Sequence, residues 1–162
     1  MFHFTDNMYG PVNTFIASYK DMNKMSAGGE VFWKSDAVES GISMIYSKCD
    51  NKDGSTVFNI PEFETRAFGR YNWRERIIAG ITIHYRSSGK TLAYYDRNDA
   101  MNEESSVTIP AFAVVNLDLT YAYNRNLSFY LKVNNLLNTN DLYYLNYGNP
   151  GVGGGLGVVF KF

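Results

Sequence analysis

The sequence predicts an all-β, antiparallel transmembrane β-barrel segment of about eight long strands, with short turns at one end and long loops at the other. Three observations lead there. The 162 residues include 13 Tyr, 11 Phe and 14 Gly, and 16% are aromatic, a mixture that favours strands and turns over helices. Apolar residues recur with a period of two over stretches of roughly nine to eleven residues, the length a tilted strand needs to cross a bilayer, where an ordinary strand averages about five or six. The connections between these stretches alternate strictly between short and long.

Taken in order, the first element is a less regular strand near residues 8–18. GGEVFWK (28–34) then turns at 35–39 into SGISMIYSK (40–48), a first hairpin. ETRAFGRYNW places Thr65, Ala67, Gly69, Tyr71 and Trp73 on one side and Glu64, Arg66, Phe68, Arg70 and Asn72 on the other. Its partner RIIAGITIHYR sets Ile77, Ala79, Ile81, Ile83 and Tyr85 against Ile78, Gly80, Thr82, His84 and Arg86, so one side is nearly pure hydrocarbon. FAVVNLDLTYAY alternates Ala113, Val115, Leu117, Leu119, Tyr121 and Tyr123 with Val114, Asn116, Asp118, Thr120 and Ala122. After a turn at 124–126, LSFYLKVNN aligns Leu127, Phe129, Leu131 and Val133 on one side, which completes a hairpin. A terminal strand at 152–162 closes the series.

The short connections fall at 35–39, 74–75 and 124–126, the long ones at about 19–27, 49–63, 87–111 and 137–151. All short turns therefore lie at one end of the sheet, as in outer-membrane barrels with short periplasmic turns and longer external loops. Strands running toward that end finish with aromatics on the apolar side: Trp33, Tyr71, Trp73, Tyr121, Tyr123, Phe160 and Phe162. Rings gathered at one level form a girdle, where an apolar body meets lipid and a polar edge meets headgroups. Tyr46 and Tyr85 are placed for a second girdle. The opposite side carries Glu30, Lys34, Arg66, Arg70, Thr82, His84, Arg86, Asp118, Lys132 and Lys161. In a soluble sandwich this would be the solvent side, with the apolar sides of two sheets packed together.

Composition narrows the function classes. Fifteen Lys and Arg against sixteen Asp and Glu leave a net charge of −1, without the basic footprint of a nucleic-acid binder. Apolar runs such as Ile77 to Ile83 fall far short of a membrane-spanning helix. Cys49 is the single cysteine and implies no disulfide framework. The start MFHFTDNMYG lacks a basic region followed by an apolar one, so either the protein stays in the cytoplasm or its true N-terminus lies upstream. His3 and His84 stand apart from any Cys or carboxylate at metal-ligand spacing, and Asp96, Asn98 and Asp99 lack the calcium-loop spacing. The glycine-rich stretch 148–157 leads into a strand, with no helix behind it to form a phosphate loop. No catalytic triad pattern emerges, so no enzyme activity, metal or cofactor is expected. Tyr94, Tyr95, Tyr143, Tyr144 and Tyr147 in the long loops are candidates for ligand contact at the external mouth, or equally for packing the loops together or joining the outer girdle.

Specific motifs then carry a resemblance. Asn135-Leu136-Leu137-Asn138, within IPAFAVVNLDLTYAYNRNLSFYLKVNNLLNTND, together with SAGGEVFW and IPEFETRAFGRYNW, is similar to the last strands of TonB-dependent outer-membrane receptors from about Ser26 onward. The ending, with Gly157, Phe160 and Phe162, resembles the signal that outer-membrane barrels present to the barrel-assembly machinery, although Gly155 stands where that pattern has a polar residue. The resemblance implies a location in the outer membrane of a Gram-negative bacterium and a 22-stranded barrel around a plug. It further implies uptake of a large scarce nutrient such as an iron chelate, cobalamin or glycan. The partners it implies are outer-membrane lipid, the barrel-assembly machinery and TonB acting through the plug, with no nucleic acid. Residues 1–162 then correspond to a C-terminal portion of the barrel, without plug or earlier strands, and are not expected to insert alone as a functional pore. Two rivals remain open at this stage: a complete eight-stranded outer-membrane barrel with a structural or adhesive role, and a soluble β-sandwich binding module.

Overall fold

Alternation of apolar and polar residues becomes strand in every long stretch named above. The computed structural model describes residues 2–6, 13–17, 21–94, 104–140, 142–144, 147–148 and 150–162, and among these the only regular elements are strands. They are β1 (Phe2–Asp6), β2 (Asn13–Ala17), β3 (Met22–Lys34), β4 (Val38–Asn51), β5 (Phe63–Trp73), β6 (Ile77–Arg86), β7 (Gly89–Tyr94), β8 (Glu104–Ile109), β9 (Phe112–Ala122), β10 (Leu127–Asn134), β11 (Leu142–Tyr144), β12 (Tyr147–Gly148) and β13 (Gly153–Phe160). Seven of them make one sheet in the order β13-β10-β9-β6-β5-β4-β3, every neighbour antiparallel. With an odd number of alternating strands, the two edges, β3 and β13, run in the same direction.

Each short turn has its own chemistry. Between β3 and β4 the Ser35 hydroxyl accepts from Val38 N (3.2 Å) while Ser35 N donates to Val38 O (2.7 Å). Between β5 and β6 three residues separate the paired Trp73 and Ile77; Arg74 and Glu75 both adopt positive φ (52° and 59°), and Arg76 N donates back to Trp73 O at 3.0 Å. Asn72 Oδ1 steadies that turn by accepting from Glu75 N at 2.9 Å. Between β9 and β10 Asn124 Oδ1 accepts from the backbone N of Asn126 (2.9 Å) and Leu127 (2.8 Å).

Two expectations change. The strand expected near 8–18 is represented by β2, which pairs with β1 in a separate two-stranded ribbon; the rest of that stretch lies outside the described residues. Five residues are too few to span an apolar band that takes about nine to eleven. The loop expected at 19–27 is mostly strand, since β3 begins at Met22 and stays paired with β4 out to Asn51. Beyond Tyr46 this ribbon carries Lys24, Ser26, Ser47 and Lys48, and the two serine hydroxyls meet at 2.9 Å. The apolar alternation ends there while the pairing stays intact. The long connections also hold structure of their own, β7-β8 and β11-β12.

The sheet encloses no conventional core. Among the described residues the buried hydrophobic side chains are Ile109 and Phe112, whereas Val31 is 69% exposed and Leu156 80%. A soluble sandwich would cover this face with a second sheet. Among the described residues no second sheet packs over either face, and the sandwich reading is set aside.

Candidate functional site

The site is the sheet itself, because cross-strand pairing sorts its side chains onto two chemically opposite faces. Directly opposed residues share a face, so one rung can be followed across all seven strands: Trp33, Ser40, Gly69, Ile81, Leu117, Val133, Gly154. Rungs of the same parity read Val31–Ile42–Ala67–Ile83–Val115 and Tyr71–Ala79–Leu119–Leu131–Leu156, an apolar face without a formal charge from β5 to β13.

The aromatic residues on this face climb in register from strand to strand. Trp33 lies on the Ser40–Gly69 rung. Tyr71 and Trp73 lie two and four residues beyond Gly69 toward the short turns, Tyr121 and Tyr123 four and six beyond Leu117, and Phe160 and Phe162 six and eight beyond Gly154. That is about one to 1.3 residues per strand. With about 3.3 Å per residue and 4.8 Å between strands, a line of constant height through these rings requires the strands to tilt by about 35–42°, within the range that transmembrane barrels adopt. At the other end Tyr46 pairs with Phe63, six residues from the rung, and Tyr85 lies four residues from it. This is the same drift, and the Phe63 and Tyr85 rings sit 6.2 Å apart. On β5 the two levels are eight to ten residues apart, which at that tilt is about 20–25 Å of height, close to the apolar band of an outer-membrane barrel.

The opposite face is polar and ordered. One of its rungs runs Lys34, Glu39, Arg70, Gly80, Asp118, Lys132, Gly155. Charges of alternating sign face each other across the strands, an arrangement that favours pairing in register. Gly80 leaves room there for the Asp118 carboxylate, which occupies the space a Cβ at that position would take. A groove of about 430 Å³ opens between Arg70, Asp118, Lys132, Asn116 and Thr82. Nearer the long loops Arg66 faces His84, and Arg86, 8% exposed, donates from Nη2 to Asn59 O (2.9 Å) with its Nε 3.8 Å from Glu64 Oε1. Among the described residues no group of three or more His, Cys, Asp or Glu gathers as a metal site.

Asn135-Leu136-Leu137-Asn138 forms a hydrogen-bonded knot just past β10. Asn135 and Asn138 both hold φ of 50°, in the left-handed region that asparagine tolerates better than most residues. Asn135 is 5% exposed. Its Nδ2 donates to Thr139 O (2.9 Å) and Pro150 O (3.4 Å), and its Oδ1 accepts from Thr139 N (3.0 Å). Its backbone N donates to Asn116 Oδ1 (2.9 Å), Leu136 N to Val115 O (2.8 Å) and the Thr139 hydroxyl to Ala113 O (2.8 Å). Asn138 Oδ1 accepts from Val152 N at 3.1 Å. The motif thus ties β9, β10 and the start of β13 together. Its two asparagines were visible in the sequence, but the partners they reach were not.

At the C-terminus Gly157 lies opposite Tyr130, whose phenol occupies the space that a Cβ there would fill. Phe160 sits on the apolar face opposite Leu127, and Phe162 is fully exposed just beyond β13. Asp96, Asn98, Asp99 and Tyr95 lie outside the described residues, as do the side chains of His3, Tyr94, Tyr143, Tyr144 and Tyr147.

Residues 15–136 match the family described as TonB dependent receptor-like, beta-barrel. This chain belongs to that family. The TonB-dependent receptor fold is equally clear in solved structures. The ferripyoverdine receptor of Pseudomonas aeruginosa superposes with a TM-score of 0.76 at 11% identity, over 93% of this chain and 20% of that one. The ferric-catecholate import receptor Fiu of Escherichia coli K12 gives 0.65 at 21%, over 98% and 23%, and the copper transporter OprC 0.63 at 18%, over 99% and 26%. At these identities the likeness is one of fold. The chain spans about a fifth to a quarter of the length of these structures. No match is found among curated protein sequences. Membership in the TonB-dependent receptor family places the protein in the outer membrane of a Gram-negative bacterium.

Proposed function

We propose that this chain supplies part of the barrel wall, a C-terminal portion, of a TonB-dependent receptor that takes up a large scarce nutrient: an iron chelate, cobalamin or a glycan. The observation that carries this reading is the pair of aromatic levels about 20–25 Å apart, which drift in register at the rate that tilted membrane strands require. The apolar face between them meets acyl chains. The polar face, with Arg70, Asp118 and Lys132, lines the interior and meets the plug through which TonB acts. Trp33, Tyr71, Trp73, Tyr121 and Tyr123 form the periplasmic girdle, and Gly157, Phe160 and Phe162 are the address read by the barrel-assembly machinery.

The edges require strands beyond these seven, one for an eight-stranded barrel and more for a larger one. Bacterial barrels close with an even number of antiparallel strands. The seven-stranded sheet has edges that run in parallel, so an odd number of further strands is required between β13 and β3. An unpaired edge in lipid costs several kcal/mol per orphan group.

Two measurements test the proposal. A photoactivatable phospholipid should label Ile81, Leu117 and Leu131 in the membrane-embedded protein and spare Thr82, Asn116 and Lys132; the reverse pattern refutes the orientation of the wall. Deleting the gene should abolish TonB-dependent growth on one of the named nutrient classes under limitation. Unimpaired growth on all of them refutes the uptake role.

A further inference from the structure

We infer that the β5-β6 turn carries a binding site for the headgroup of an anionic phospholipid, a proposal that rests on the reading of the apolar face as the lipid face. A cavity of about 630 Å³ opens at the level of the short-turn girdle, lined by Trp73, Arg74, Arg76, Ile77 and Tyr121. Its composition is that of an interface: two guanidinium groups, two amphipathic rings and one branched alkyl side chain that continues into the apolar face. The Arg74 guanidinium carbon stands 5.7 Å from the centre of the Trp73 ring, so this cation lies against an aromatic of the apolar face.

Arg74 and Glu75 occupy the two central turn positions with φ of 52° and 59°, positions that Asn-Gly fills most easily because other side chains crowd the backbone there. Glu75 supplies the one carboxylate of the turn, and it is not among the residues that line the cavity. Arg125, in the neighbouring turn between β9 and β10, adds a further exposed cation at the same end of the sheet. Guanidinium groups bind phosphate oxygens in a planar fork. Trp73, Tyr121 and Ile77 provide an apolar wall for the glycerol and the first acyl carbons, which inorganic phosphate does not possess.

The test uses the intact outer-membrane protein in detergent micelles, with native mass spectrometry of retained phosphatidylglycerol and phosphatidylcholine. Phosphatidylglycerol should be retained about 25-fold more than phosphatidylcholine, and R74N with R76Q should bring the two to the same level, since each of the two basic groups near a headgroup is worth about fivefold. Asparagine is at home in the left-handed conformation, so R74N keeps or strengthens the hairpin, and lost selectivity is not lost folding. Equal retention of the two lipids by the unsubstituted protein, or full selectivity in the double variant, overturns the site. Displacement of phosphatidylglycerol by millimolar inorganic phosphate overturns its assignment to a lipid. Labelling of Ile81 by a photoactivatable phospholipid, measured alongside, separates the two levels: labelling without selectivity removes this site alone, and absence of labelling removes the membrane reading beneath it.

Discussion

Ile81→Arg is the most direct probe of the two-faced sheet. Ile81 lies four residues from Ile77 and four from Tyr85 on the same strand, so at about 3.3 Å per residue and a tilt near 40° it is about 10 Å from either aromatic level, at mid-height of the band. A guanidinium on the lipid side of a barrel at that depth costs about 2–4 kcal/mol, which is about a 30- to 700-fold shift in the folding equilibrium. The next residue, Thr82, faces Phe68 and Asn116 on the polar side, and Thr82→Arg should stay within about 0.5 kcal/mol of the parent. Ile77→Arg and Tyr85→Arg, at the band edges, should cost about 0–1 kcal/mol from charge placement. Equilibrium unfolding of the intact protein from lipid vesicles in urea reads all four. The expected profile rises to a maximum at residue 81 and collapses at 82. A Thr82 variant as damaging as the Ile81 variant, or a profile that is flat from 77 to 85, refutes the assignment of faces.

Three further outcomes follow from local geometry. Gly157→Ala places a methyl where the Tyr130 phenol already lies and should destabilise by about 1–3 kcal/mol; combining it with Tyr130→Ala should recover part of that loss in a double-mutant cycle, and strict additivity would show that the two do not touch. Asn135→Ala removes the side-chain bonds to Thr139 and Pro150 at a positive φ and should cost about 2–3 kcal/mol, with Asn135→Gly costing less because only the bonds are lost; equal losses would mean that backbone conformation contributes nothing. Removing Phe162 should slow folded-barrel formation on the assembly machinery by an order of magnitude or more while leaving equilibrium stability within about 0.5 kcal/mol, since this residue lies beyond the last strand; unchanged assembly kinetics would refute the address role.

Much of the wall was legible because period-two patterning is a one-dimensional property. Residues 64–73, 76–86, 112–123 and 127–135 each announced two faces, and the pairing confirmed the same faces across neighbouring strands. The tilt became measurable only after pairing assigned Tyr71, Tyr121 and Phe160 to successive steps relative to a common rung. What stayed hidden depends on contacts between residues distant in sequence. Nothing in the neighbourhood of Asn135 reveals that it reaches Asn116 and Pro150, and nothing around Gly80 reveals the Asp118 carboxylate beside it. The polar continuation of β3 and β4 past Tyr46 read as loop for a related reason: the residues it buries there, Ser47 and Asn51, are polar and held by hydrogen bonds to Glu62, Ser55 and Thr56, so no apolar alternation marks the strand.

The last strand shows how neighbours specify what a segment cannot specify for itself. β13 contains Gly153, Gly154, Gly155 and Gly157, and a strand with so few side chains gives its register little support. Slipping by one residue would bring Leu156 or Val158 beneath the Tyr130 phenol and turn the apolar set inward, so the Tyr130-Gly157 contact excludes it. Slipping by two preserves the faces, and in one direction it places Gly155 beneath Tyr130, where the phenol finds room. That slip must be excluded elsewhere. It would part Val152 N from Asn138 Oδ1 at one end of the strand, and at the other it would break the reciprocal pair in which Asn126 Nδ2 donates to Lys161 O (2.6 Å) and Lys161 N to Asn126 O (2.8 Å). Three contacts, all made by residues in or flanking β10, therefore set the register of β13. The height of Phe160 and Phe162 relative to Tyr121 and Trp73 follows from them, so the aromatic level at the chain's end is an outcome of asparagine and tyrosine chemistry on its neighbour.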